Sequence, residues 1–133
     1  MDLIFGNYEA TIQSWAALAV LLLTQVLVAD VASVRAKHVP GTPVEASHDN
    51  FLFRASRAVA NTNETIAIYI VVVLFCLFSG ASADYTAYFS WGYVVARTAY
   101  AVCYYFNLKL LRSVCFGISL LSLSALLILG LMG

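Results

Sequence analysis

Long apolar stretches alternate with shorter polar ones along the chain, and four of them are long enough to cross a bilayer. A transmembrane helix needs about 20 mainly apolar residues to cross about 30 Å of hydrocarbon. The pattern therefore predicts an all-α fold, an integral membrane four-helix bundle in which residues 1–133 form a single domain. The predicted spans cover approximately residues 12–34, 54–78, 85–107 and 112–132, and residues 35–53 form the only long loop.

The composition agrees with a membrane protein and excludes two other classes. Of the 133 residues, 62% are hydrophobic and 11% are charged, whereas soluble domains are about 45–50% apolar and about 25% charged. A disordered chain would be poor in apolar residues. The formal net charge of zero gives no sign of a nucleic-acid partner, because nucleic-acid binding needs a basic surface. We expect membrane lipids to surround the spans.

The basic residues predict the orientation in the membrane. Lysine and arginine mark cytoplasmic loops, and six of the seven here fall in the first and third connections or at the adjoining span ends. We therefore expect the loop at 35–53 to be cytoplasmic and both termini to lie outside. A short chain of this kind fits a bacterial inner membrane, with periplasmic termini. The residues that carry this prediction are Arg35, Lys37, Arg54, Arg57, Lys109 and Arg112.

The loop after the first span contains both histidines of the chain. Pro40, Gly41 and Pro43 prevent the first helix from continuing through it. His38 and His48 stand ten residues apart, with no cysteine or acidic residue at the spacing of a metal site. We interpret both as solvated loop histidines and expect no metal cofactor.

Polar residues of the second span lie on one face of the predicted helix. Arg54, Arg57, Asn61 and Glu64 fall at about 0°, 300°, 340° and 280° around the axis, at about 100° per residue. Ionisable groups inside a membrane normally face a bundle interior or a wet cavity. The third span repeats this spacing, and the fourth span begins with two polar residues. The residues concerned are Arg97, Tyr100 and Tyr104, followed by Arg112 and Ser113.

Each of these residues also has a purely structural interpretation. Arg54 and Arg57 fit anchors that extend to the lipid headgroups, Tyr104 fits an interfacial belt, and Arg112 fits an ordinary cytoplasmic flank. Arg97 and Glu64 fit an ion pair between spans two and three. Their convergence at one membrane level favours a pocket for a small polyanion, since guanidinium groups bind carboxylates bidentately. A ligand thiol beside such a cation would ionise more readily.

Three motifs give the chain a resemblance to a known family. Arg57-x-x-x-Asn61-x-x-Glu64, Arg97-x-x-Tyr100-x-x-x-Tyr104 and Leu111-Arg112-Ser113-Val114 resemble the MAPEG family, the membrane-associated proteins of eicosanoid and glutathione metabolism. The resemblance spans nearly the whole chain. It implies a left-handed bundle that assembles with itself as a homotrimer, and glutathione as a co-substrate bound between subunits on the cytoplasmic side.

The resemblance also implies roles for individual residues. Arg112 would stabilise the glutathione thiolate, Tyr104 would assist it while lining the tripeptide site, and Arg54 would be structural or at the pocket rim. The residues that would bind glutathione are Arg35, Arg57, Asn61, Glu64, Arg97, Tyr100, Tyr104 and Ser113.

The function that the resemblance implies is a membrane-bound glutathione transferase or peroxidase. Its substrates would be lipophilic electrophiles that enter from the bilayer along spans one and four. Val59 and Ala60 depart from relatives that carry histidine and a basic residue there. This departure favours an alternative, a non-enzymatic MAPEG-like protein that binds a lipid or another ligand. A small multidrug transporter is a third hypothesis, but that class usually carries its glutamate alone in the first span, whereas Glu64 lies in the second.

Overall fold

The computed structural model describes residues 5–133, so residues 1–4 of the predicted domain lie outside the described residues. Four long helices account for most of the described chain, and no strand occurs within it. The predicted all-α four-helix architecture is therefore confirmed. After a 3-10 turn at Gly6–Tyr8, the helices are α1 (Glu9–Arg35), α2 (Phe51–Ser79), α3 (Ala83–Tyr105) and α4 (Lys109–Met132).

Local chemistry explains where the first two long helices end and begin. The chain leaves α1 through Lys37, whose positive φ of 52° lets the His38 N–H bond back to the Ser33 carbonyl. The Asn50 side chain caps α2 by accepting a hydrogen bond from the Leu52 N–H at 3.0 Å. Gly80 ends α2 with a φ of 73°, which glycine adopts without steric cost.

The third helix differs from the predicted third span in position: it has 23 residues, as many as the predicted span 85–107, but begins and ends two residues earlier. Three helices are long and apolar enough to cross a membrane, namely α1 with its preceding turn, α2 and α4. The mean hydropathy of α3 is lower, because its buried face carries polar side chains, among them Thr86, Ser90 and Arg97. The helix ends at Tyr105 rather than at residue 107, because Asn107 adopts a left-handed conformation with a φ of 57°.

Helices α2 and α3 form the middle of the bundle. Each contacts the other as well as α1 and α4, so that α1 and α4 lie on the flanks. We call the end with the loop at 36–50 and the turn at 106–108 the loop end, and the end with the turn at 80–82 the opposite end. At the opposite end the Tyr8 hydroxyl donates to the Ala81 carbonyl. Large apolar side chains cover the exterior of all four helices, as expected where lipid replaces water.

Candidate functional site

Arg97 occupies the centre of a polar cluster near the loop end. Its side chain is fully buried, and Nη2 donates to Asn61 Oδ1 at 2.7 Å and to Thr62 Oγ1 at 3.2 Å. The guanidinium carbon lies 4.2 Å from the centroid of the Tyr100 ring. Among residues 5–133 no carboxylate forms an ion pair with it, and its Nε and Nη1 atoms are buried without a hydrogen-bond partner. Such unpaired buried donors favour an anionic or carbonyl-rich ligand.

Asn61 links the buried arginine to an ion pair at the surface. Its Nδ2 donates to Glu64 Oε2 at 3.2 Å, and Glu64 Oε1 lies 3.7 Å from Arg57 Nη2. The interpretation that Glu64 pairs with Arg97 is therefore wrong. The Glu64 side chain is 56% exposed, and a carboxylate that stays in contact with solvent avoids the desolvation cost of joining Arg97 in the interior.

The start of α4 brings a second arginine to the cluster. The guanidinium carbon of Arg112 lies 4.3 Å from the centroid of the Tyr104 ring, and Tyr104 meets Tyr100 edge to face at 5.2 Å. Arg112 Nη1 is buried and has no hydrogen-bond partner within residues 5–133. Arg112 borders a cavity of about 250 Å³ between α2, α3 and α4, which we call the loop-end site. Its lining residues are Asn61, Tyr100, Arg112, Ser113 and Phe116.

The Arg54 side chain extends toward the loop and the end of α3, away from the cluster around Arg97. It donates to the carbonyls of His48 at 2.6 Å, Tyr104 at 3.1 Å and Tyr105 at 3.4 Å. The last carbonyls of a helix have no partner within it and attract cations. Arg54 therefore caps the end of α3 and ties the loop to it, so the interpretation as a lipid-headgroup anchor is wrong.

Arg35 stands apart from the other predicted site residues within one chain. It lines a separate, mainly apolar cavity of about 670 Å³ between α1 and the start of α2. Within one chain Arg35 therefore does not line the loop-end site. The sequence alone does not reveal this, because the position of α1 relative to α4 depends on how α2 and α3 pack between them.

Three residues near the site escaped the sequence analysis. Thr62 accepts hydrogen bonds from Arg97 Nη2 and from Gln25 Nε2, both at 3.2 Å. Phe116 lines the loop-end site one helical turn after Arg112, a spacing that could have indicated it. His48 stacks against Tyr104 with 6.3 Å between ring centroids, and it meets Phe53 edge-on at 5.2 Å. The interpretation of His48 as a solvated histidine is therefore wrong.

The arrangement suits recognition of a small polyanionic ligand. It combines guanidinium donors, an amide, a hydroxyl and aromatic rings at the edge of an apolar bundle. Arginine is the side chain best matched to carboxylates, and a thiolate is favoured beside positive charge. Among residues 5–133, no three metal-ligating side chains come together.

Comparison with known proteins identifies the family of the chain. No curated protein and no solved structure matches it. The model of the MAPEG family matches residues 14–132 of the 133, a region that includes most or all of each long helix and every residue of the loop-end site. The chain is therefore an integral membrane protein that belongs to the MAPEG family.

Proposed function

We propose that the protein is a glutathione transferase or peroxidase that acts on lipophilic electrophiles. Membership of the MAPEG family supports a function in glutathione or eicosanoid chemistry. The observation that carries the proposal is the position of Arg112, which lines the loop-end site and has a buried N–H group without a partner in the described part of the chain. A guanidinium in that position favours the thiolate form of a bound thiol.

Arg112 would act on the sulfur of glutathione. The thiol releases its proton to water at the loop end, and the thiolate uses its electron pair to form a carbon–sulfur bond while the leaving group departs with the pair from the broken bond. In the peroxidase reaction the thiolate instead attacks a peroxide oxygen of a lipid hydroperoxide, the O–O bond breaks, and the rest of the peroxide leaves as an alcohol. The glutathione sulfenic acid then condenses with the thiol of a second glutathione to give the disulfide and water. Tyr104 packs on Arg112 and would hold the guanidinium in place.

The remaining polar residues would bind the tripeptide. The unpaired N–H groups of Arg97 suit a carboxylate, and Asn61, whose amide lines the cavity, suits a peptide group. Glu64 is acceptor-only when ionised and suits the α-amino group, with Arg57 beside it at 3.7 Å. Tyr100 and Ser113 also line the cavity, and we include both among the residues that would bind glutathione.

A second copy of the chain would complete the site. Ligand pockets usually measure about 300–1,000 Å³, and the cavity of about 250 Å³ is below that range. Arg35 lines the separate cavity beside α1, so it would reach glutathione only from a neighbouring subunit. We therefore include a homotrimer in the proposal, with the electrophile entering from the bilayer past α1 and α4.

The proposal also includes an orientation. The basic residues in and beside the connections lie at the loop end, and basic residues favour the cytoplasmic side. Glutathione would then enter from the cytoplasm of a bacterium through the loop end of an inner-membrane protein, and both termini would be periplasmic.

A second candidate function is non-enzymatic binding of a lipid or another ligand. Val59 and Ala60 place half-buried apolar side chains beside Asn61. In addition, Asn61 and Glu64 already have partners within the chain, so that a ligand would have to compete for them. Both observations favour a scaffold that keeps the fold without turnover.

Titration of the purified protein with glutathione tests the proposal. We expect calorimetric binding, a thiolate absorbance band, and turnover with a chlorinated aromatic electrophile or a lipid hydroperoxide. S-methylglutathione should bind without producing the band. Binding of glutathione without turnover would favour the non-enzymatic alternative, and no binding at all would contradict a glutathione site.

A matched pair of variants shows whether binding occurs at the loop-end site. Asn61→Ala should weaken glutathione binding, because Asn61 lines the cavity. Asn63→Ala should leave the affinity unchanged, because Asn63 is exposed and lies on the opposite face of α2. Equal affinities in the two variants would mean that glutathione binds elsewhere.

A further inference from the structure

The loop at 36–50 contributes one aromatic side chain to the surroundings of the candidate site. The imidazole of His48 stacks nearly parallel to the Tyr104 ring, with an interplanar angle of 14°. The edge-to-face contact with Phe53 supports the imidazole from a second direction. His48 is half-buried, as these two contacts require.

The backbone of His48 is also fixed, by a hydrogen bond from Arg54. Its carbonyl accepts a hydrogen bond from Arg54 Nη1 at 2.6 Å, and the same guanidinium donates through Nε to the Tyr104 carbonyl at 3.1 Å. One arginine therefore joins the residue that stacks on Tyr104 to the backbone of Tyr104 itself. Hydrogen bonds from a charged donor are the stronger ones in proteins.

Tyr104 needs such support because of its place in the chain. It is the penultimate residue of α3, and the last turn of a helix frays readily because its carbonyls lack partners within the helix. Its ring is nonetheless buried, with Tyr100, His48 and the guanidinium of Arg112 packed around it. A movement of this ring would move the guanidinium that packs on it.

We propose that His48 is a positioning residue for Arg112: its ring, held by Arg54, fixes the Tyr104 ring and thereby the guanidinium at the loop-end site. The inference rests on the proposed function where it concerns glutathione, because Arg112 is the residue that would stabilise the thiolate. It adds a coupling between the loop and the site, so that a disturbance of the loop changes the chemistry at Arg112.

The role assigned to His48 belongs to its flat ring and not to its nitrogen atoms. The contacts that define it are ring packing against Tyr104 and Phe53, and phenylalanine has the same capacity for such packing. Alanine removes the packing and leaves the backbone bond to Arg54 in place. The pair His48→Ala and His48→Phe therefore separates ring packing from imidazole chemistry.

His38 provides the matched control. It lies in the same loop, and its side-chain hydrogen bonds are local, with Nε2 at 3.0 Å from the Thr42 carbonyl and 3.3 Å from Thr42 Oγ1. His38→Ala removes a loop histidine without touching Tyr104. Any effect that depends only on losing an imidazole or on loosening the loop should appear in this variant too.

The experiment compares the native chain with the three variants, all purified as folded protein with thermal unfolding monitored. We expect His48→Ala to lose about 10- to 100-fold in kcat/KM, in line with the cost of a misplaced catalytic group, together with its thiolate band. The KM for the electrophile should change little. His48→Phe and His38→Ala should stay close to the native protein.

Hydrogen exchange separates a failure of this inference from a failure of the proposed function. If the native chain does not bind glutathione, the proposed function fails, but faster amide exchange at residues 103–107 in His48→Ala alone still supports the positioning role. The inference is overturned if His48→Ala matches the native chain in exchange and thiolate formation. It is equally overturned if His48→Phe is as impaired as His48→Ala, since the imidazole nitrogens would then be what matters.

Discussion

The bundle contains two polar clusters, and they differ in charge and in access. The first comprises the loop-end site, which Arg112 lines, and the buried Arg97 next to its Asn61; within residues 5–133 both arginines have N–H donors without a partner. The second cluster lies deeper in the bundle and consists of four neutral side chains, which we call the hydroxyl cluster. Ser14 bonds to Tyr69 at 2.6 Å, Thr65 bonds to Tyr93 at 2.7 Å, and the two tyrosine rings stack at 4.5 Å.

The comparison teaches that a buried polar group in a membrane bundle is not by itself a sign of function. In the hydroxyl cluster each hydroxyl has a partner on another helix, which is how polar side chains join helices in lipid. Beside the loop-end site, by contrast, Arg97 has two N–H groups without a hydrogen-bond partner and no ion pair with a carboxylate among residues 5–133. Such groups cost stability, which supports the proposal that a ligand binds beside them.

The largest effect should follow from removing the guanidinium beside the cavity. We expect Arg112→Ala to lower kcat about 100-fold, as for loss of a group that stabilises developing negative charge, and to abolish the glutathione thiolate band. Lys109→Ala is the control, because Lys109 is an exposed cation at the start of the same helix. An unchanged thiolate band in Arg112→Ala, or an equal loss in Lys109→Ala, would contradict the assignment.

Next in size is the effect of replacing the buried arginine by an apolar side chain of similar length. Arg97→Met should weaken glutathione binding about tenfold, or about 1.4 kcal/mol, because it removes donors that suit the carboxylate. Thermal stability should not fall, since a buried charge without an ion-pair partner is costly. Calorimetry measures the glutathione affinity, and thermal unfolding measures the stability. Lower thermal stability with unchanged glutathione affinity would mean that Arg97 joins helices, as the hydroxyl cluster does, and does not bind the ligand.

The helices and part of the loop-end site could be predicted from the sequence. The apolar stretches predicted four helices, and helical spacing on α2 and α3 brought Asn61 and Arg97 to facing positions, where they are hydrogen-bonded. Spacing works here because a straight helix keeps residues three and four apart on one face. The match of the MAPEG family model to residues 14–132 confirmed the resemblance that rested on these same motifs.

The rest depends on side-chain directions and loop geometry, which spacing does not encode. Arg54 shares a helical face with Arg57 but turns toward the carbonyls at the end of α3, because those carbonyls need donors. His48 lies in a loop without periodicity, so no pattern indicated its contact with Tyr104. The sequence analysis missed the hydroxyl cluster because Ser14 and Tyr69 are 55 residues apart. Taken one at a time, they are ordinary polar residues of a membrane span.

A smaller effect should come from the hydroxyl cluster. Tyr69→Phe removes the hydrogen bond to Ser14 and keeps the ring stack with Tyr93, so stability should fall by about 0.6 kcal/mol, typical of such bonds between membrane helices. Glutathione affinity should not change. Unfolding in detergent measures the first and calorimetry the second. Tyr88→Phe is the control, because the Tyr88 ring is exposed. A loss of glutathione affinity in Tyr69→Phe but not in Tyr88→Phe would mean that the hydroxyl cluster also contributes to ligand binding.

The smallest effect should come from the ion pair at the edge of the loop-end site. Arg57 and Glu64 lie 3.7 Å apart with side chains 41% and 56% exposed, and pairs with this much solvent contact contribute less than about 1 kcal/mol. Arg57→Gln should therefore cost little stability, and the cost should shrink at high salt, which screens exposed charges. Arg57→Lys, which keeps the charge, is the control. Salt-dependent unfolding provides the measurement. A large cost that salt does not reduce would mean that the pair is shielded from water, for instance by a second copy of the chain, and that the exposed edge of the site is an interface.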